Sequence, residues 1–121
     1  LPHVHTLILE SCPSYTQWPA LVAALPNLAT LEIQNFDRAA IKAMGESLSS
    51  NIRVVTLSGW WTLGKPSLRE LLRSVQLPDF AGVRRLNLDV PRSAFRVQEG
   101  FLLLEECDRR GIQVKSREGI V

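Results

Sequence analysis

Cysteine is scarce in this chain: Cys12 and Cys107 are the only two in 121 residues. A pair so far apart does not make the disulfide framework of a small secreted protein, and it points to a reducing compartment, cytoplasm or nucleus. Long apolar runs are missing too. None approaches the ~20 residues of a membrane-spanning helix, so no membrane partner is expected. The opening Leu1-Pro2-His3-Val4-His5 has neither the basic nor the apolar region of a signal peptide. No charge dominates: 14 bases against 12 acids leave +2, too little to argue for nucleic acid. Gly59, Gly64 and Gly82 are scattered, and no G-x-x-x-x-G-K-[ST] loop is present to cradle a phosphate-bearing cofactor. What remains is 45% hydrophobic and 21% charged, an ordinary globular composition, and the length suits a single domain over residues 1–121.

The chain has a period. Val4-x-x-Leu7-x-Leu9, Leu28-x-x-Leu31-x-Ile33, Ile52-x-x-Val55-x-Leu57 and Val83-x-x-Leu86-x-Leu88 share one spacing of apolar residues. Ile112-x-Val114 closes the series, with Arg109 in place of the first anchor. Taking Leu7, Leu31, Val55, Leu86 and Ile112 as equivalent, the steps are 24, 24, 31 and 26 residues. Leucine-rich repeats run ~20–29 residues on the pattern L-x-x-L-x-L-x-x-N/C. The longer step implies an insertion, for which Gly59 to Pro66, with Trp60-Trp61, is the candidate. Cys12 falls where the pattern asks for Asn or Cys; Phe36, Trp60 and Pro91 fall there in later units.

The intervening segments read as helices. Trp18–Leu25 is short, with Pro19 in its first turn and Pro26 after it. Asp37 caps a segment carrying Ile41, Met44 and Leu48 at helical spacing. Leu68, Leu71, Leu72 and Val75 form an i, i+3, i+4, i+7 stripe after Pro66. Ser93 precedes the longest helix, Ala94 to Arg110, which Gly111 ends.

The resulting βαβαβαβαβ order fits two α/β folds. A flavodoxin-like doubly wound sheet is covered on both sides, so its strands read as continuous apolar runs. A solenoid sheet carries helices on one face, so its strands alternate. Here the outward positions are Thr6, Ile8 and Glu10; Thr30, Glu32 and Gln34; Val54, Thr56 and Ser58; Arg85, Asn87 and Asp89; Gln113 and Lys115. Only Ile8 and Val54 among them are apolar. Burying Glu32, Arg85, Asn87 and Asp89 beneath a second helix layer would cost several kcal/mol. The expectation is a leucine-rich-repeat-like solenoid of about five parallel strands.

Units such as VHTLILESC, LATLEIQNF and VRRLNLDVP resemble the irregular, cysteine-type repeats of F-box proteins. LLLEECDRRGIQVKS is similar to the closing helix and strand of fungal F-box-like proteins. The resemblance implies a C-terminal fragment of such a protein. Its repeats would recognise the substrate of a ubiquitin ligase while an F-box, absent from these residues, docks the ligase core.

The residues themselves show no reaction. His3, His5 and Cys12 are too few for a zinc site, which takes four ligands. Glu105, Glu106 and Asp108, beside Arg109 and Arg110, read as a solvated helix face. No catalytic, cofactor or metal residue is therefore assigned, and the chain is not expected to be an enzyme. The expected function is binding of a protein partner through Thr30, Glu32, Gln34, Thr56, Ser58, Arg85, Asn87, Asp89, Gln113 and Lys115. Arg85 would hold a carboxylate while Asn87 and Asp89 orient it. The alternatives are a small signalling α/β domain of receiver or anti-sigma-antagonist type, and a structural fragment with no activity of its own. The receiver type would need acids clustered at strand ends, where only Glu10 and Asp89 qualify. The apolar first strand invites self-association through its edge.

Overall fold

Apolar residues two apart, in most cases with a polar one between them, build the strands of the computed structural model, which describes residues 3–10, 17–34, 51–58 and 65–121. The strands are β1 (Thr6–Leu9), β2 (Thr30–Ile33), β3 (Val54–Leu57), β4 (Arg85–Leu88), β5 (Gln113–Ser116) and β6 (Gly119–Ile120). The helices are α1 (Trp18–Ala24), α2 (Lys65–Val75) and α3 (Gln98–Arg109), with single 3-10 turns at Pro78–Phe80 and Arg92–Phe95. Cys12, Phe36, the expected helix after Asp37, and the Trp60-Trp61 segment lie outside the described residues.

One mixed sheet holds all six strands in the order β1-β2-β3-β4-β5-β6. The first five are parallel and β6 is antiparallel to β5. Among the described strands the order never reverses, whereas a doubly wound sheet reverses at a switch point. Burial alternates along β2, β3 and β4, as the sequence pattern requires. Leu31, Val55 and Leu86 lie in one buried row, Ile33, Leu57 and Leu88 in the next, and Leu28, Ile52 and Val83 anchor the residues just before each strand. In β1 the same positions, Leu7 and Leu9, are only half-buried.

The register corrects the fifth unit. Leu86 pairs with Val114, not Ile112, so the last step is 28 residues and Arg109 is not an anchor. The cause is the way α3 ends. Gly111 adopts φ +72, the Ile112 N–H donates to the Cys107 carbonyl at 2.8 Å, and the Gly111 N–H donates to the Asp108 carbonyl at 3.1 Å. This is a Schellman closure, which makes Ile112 the buried residue just after the helix and delays the strand.

The last helix is also shorter than its sequence suggests. Val97 is extended, at φ −102 and ψ 162, and separates the Arg92–Phe95 turn from α3. In one continuous helix Phe95 would sit about 140° round from Gly100, off the buried stripe. The break lets Phe95 enter the core while Gly100, Leu103 and Cys107 of α3 are buried. Gly100 makes this possible: a Cβ there would lie 2.6 Å from the Phe95 Cα.

α2 packs against α3 and buries Leu68, Leu71 and Val75, with Leu72 half-buried beside them. The β5–β6 hairpin, which has no counterpart in the repeat pattern, turns through Arg117 and Glu118 into Gly119 at φ +107. It is fastened to the chain after β4. The Arg117 N–H donates to the Val90 carbonyl at 2.9 Å, and Arg92 Nη2 donates to the Ile120 carbonyl at 3.1 Å. The Arg92 backbone N–H, 2.8 Å from Glu118 Oε2, holds that carboxyl below its ordinary range, helped by the Ser116 hydroxyl.

No helix of the described residues is long and apolar enough to cross a membrane.

Candidate functional site

The pleat sends every second side chain of the sheet away from the core. Strand register then arranges those side chains in three rows. The first is Thr6, Thr30, Val54, Arg85 and Gln113; the second is Ile8, Glu32, Thr56, Asn87 and Lys115. The third continues just past the strands with Gln34, Ser58, Asp89 and Arg117. All ten residues expected from the sequence to form a binding surface lie on this one face. Gln34, Arg85, Asp89 and Gln113 are exposed, and Thr30, Glu32, Thr56, Ser58, Asn87 and Lys115 are half-buried.

Local hydrogen bonds give the face its texture. Gln34 Nε2 donates to Glu32 Oε2 at 3.3 Å, and the Ser58 hydroxyl donates to the Gln34 carbonyl at 3.3 Å. Asn87 Nδ2 donates to Thr56 Oγ1 at 3.1 Å, which spans β3 and β4. Its Oδ1 is buried and accepts no hydrogen bond from a described residue. Asp89 is paired with Arg117, whose Nε lies 2.8 Å from Oδ1. Arg85 is therefore not oriented by Asn87 and Asp89: the first is turned to Thr56 and the second to Arg117. An open hollow of about 240 Å³ lies on the C-terminal half of the face, among Thr56, Asn87, Asp89, Lys115, Ser116 and Arg117.

Arg117 lies on this face beside Asp89, although the repeat pattern extends only to Lys115. The signal was there, since residues 113, 115 and 117 share one parity. It was hidden because Arg117 sits in the hairpin turn, beyond the repeat pattern.

Several other titratable groups bond away from this face. At the opposite end of the strands, side chains bond to loop carbonyls. His5 Nδ1 lies 3.2 Å from the Asn27 carbonyl, Asn51 Nδ2 2.8 Å from that of Pro26, Arg53 Nη1 3.1 Å from that of Gly82, and Arg84 Nη1 2.9 Å from that of Ala81. The first three of these bonds stitch the residues before one strand to the loop that leads into its neighbour, and the fourth lies within the loop before β4. On α3, Glu106 is not on a solvated face: it is 7% exposed and held by Arg109 and, at 2.6 Å, by Arg110 Nε. The Arg110 hydrogen bond, reinforced by Arg109, keeps its carboxyl below the ordinary range. Burial, followed by the neighbouring Glu106 charge, pushes the Cys107 thiol up to about 12, so at neutral pH it offers no thiolate. Among the described residues no group of three or more His, Cys, Asp and Glu is placed to hold a metal ion.

A larger hollow of about 340 Å³ lies between the end of α3 and β6, lined by Leu104, Asp108, Ile112, Val114, Ile120 and Val121. Asp108 is the single titratable side chain in that lining, which also takes in Gln113.

Comparison with protein-family models, with curated proteins and with solved structures found no match.

Proposed function

We propose that the chain is a protein-interaction module, a leucine-rich-repeat-like solenoid that binds a protein partner on the polar face of its sheet. One observation carries this reading. Five parallel strands stand in chain order, and β2, β3 and β4 bury alternate residues, which leaves a surface mostly of Thr, Glu, Gln, Asn, Arg and Lys side chains, with Ile8 and Val54 among them. Each repeat adds a strand about 4.8 Å further on, so a row of four spans about 15 Å, a fair part of a protein epitope. Such a surface binds by complementarity and proximity.

Within that reading, the resemblance of the repeats to those of F-box proteins makes substrate recognition for a ubiquitin ligase the specific role. That assignment rests on resemblance of sequence and not on the geometry.

Changing Glu32→Ala and Arg85→Ala together tests the surface. Each change is outside the core and should move stability by only about 0.5 kcal/mol. Loss of a captured partner with an unchanged melting curve supports the assignment; full retention removes it. Sequencing the parent transcript upstream of Leu1 tests the ligase role, which an F-box there supports and a different module there overturns.

A further inference from the structure

The two halves of the sheet face carry different charge. On β2, Glu32 accepts from Gln34, and no cation is placed beside it by register. On β4 and β5, Arg85 stands opposite Gln113, and Asn87 stands opposite Lys115. Asp89, the carboxylate of this half, is taken by Arg117. The side chains of Arg85 and Lys115 consequently have no hydrogen-bond or ion-pair partner among the described residues. Two cations thus occupy one diagonal of a four-residue block, and two amides occupy the other.

The spacing of that diagonal has a counterpart. Neighbouring strands lie about 4.8 Å apart and residues two along a strand about 6.6 Å apart, so Arg85 and Lys115 are anchored about 8 Å from one another. An extended peptide presents its i and i+2 side chains on one side at nearly the same interval, about 6.6 Å. Long Arg and Lys side chains absorb the difference.

We propose that this block recognises an extended acidic segment of the partner protein, with carboxylates at i and i+2 held by Arg85 and Lys115. The proposal rests on the reading of the sheet face as the binding surface and names the chemistry of what binds there. The segment crosses β4 and β5 obliquely. One carboxylate meets the planar fork of Arg85, and the other reaches Lys115 at the rim of the 240 Å³ hollow. The exposed Gln113 amide lies between them, free to pair with the segment's backbone. A nucleic acid fits less well: no aromatic side chain stands on this face among the described residues, and Glu32 and Asp89 flank the cations.

The test is a titration of the isotope-labelled chain, followed by amide chemical shifts. The probes are the blocked peptide Ser-Glu-Thr-Glu-Ser-Gly, its Gln-for-Glu counterpart, and oligouridylate. The expected result is that the Glu peptide shifts residues 85, 87, 113 and 115, and the Gln peptide does not. Arg85→Gln and Lys115→Gln should each weaken the Glu peptide about fivefold without disturbing the rest of the spectrum. Equal shifts from both peptides on the sheet face would overturn the acidic specificity while leaving the binding surface intact. Stronger shifts from oligouridylate would overturn the protein partner. Shifts confined to other regions, or none, would overturn the block and the surface together.

Discussion

A single methyl group probes the tightest contact in the fold. At Gly100 it would lie 2.6 Å from the Phe95 Cα and 2.7 Å from the Phe95 carbonyl oxygen. Alanine is the better helix former by about 1 kcal/mol, but here backbone must move to admit it, at about 1–3 kcal/mol. Gly100→Ala is expected to lower the denaturation midpoint, and a raised midpoint would show that the turn before α3 has room to give. Glu106 is a test of charge instead of volume. Its carboxyl is held below the ordinary range when folded, so the unfolded chain takes up that proton more readily. The stabilisation is complete above the ordinary carboxylate range and disappears as pH falls through the lowered folded value. Stability of Glu106→Gln measured across pH 2–7 should lose part of the acid-side slope shown by the parent; identical slopes would mean that solvent screens the pair.

Among the elements, the strands were the most legible in the sequence and the joints the least. A residue buried on one side of a pleat leaves an apolar-polar alternation, and Leu31, Val55 and Leu86 fall on one row as their spacing predicts. Replacing Leu31 or Leu86 with alanine should cost about 2–4 kcal/mol, read as a lower urea midpoint with unchanged slope. Ile112 and Val114 have the same parity and are both buried, so alternation alone could not choose between them. The choice was made by the Gly111 closure of α3, a backbone event. The same holds for the break at Val97, where helix-forming residues on both sides conceal a change of direction that depends on Gly100 having no side chain. The sheet face was legible as a set of residues, through parity, but its pairings were not. Asn87 with Thr56 and Asp89 with Arg117 depend on which strands are neighbours, and no local pattern states that.

At the scale of the whole molecule, the two edges of the sheet differ. The β5 edge is covered by β6 and secured by Arg92, Arg117 and Glu118. The far edge of β1 is paired with no described strand, and Ile8 on it is 57% exposed. Backbone groups left open beside an apolar side chain invite a second chain. Light scattering on the 121-residue chain should show mass rising with concentration, and Ile8→Lys should suppress the rise; a monomer at every concentration would mean that the edge is protected.

The unbroken strand order has a consequence in time as well as in space. Paired residues in the parallel part of the sheet are 24, 24, 31 and 28 positions apart, so no pairing waits for a distant part of the chain. Loops that short close quickly, and folding rates rise as contacts become more local. A chain emerging from the ribosome could dock each strand on the one made just before it, and the sheet would assemble in the direction of synthesis.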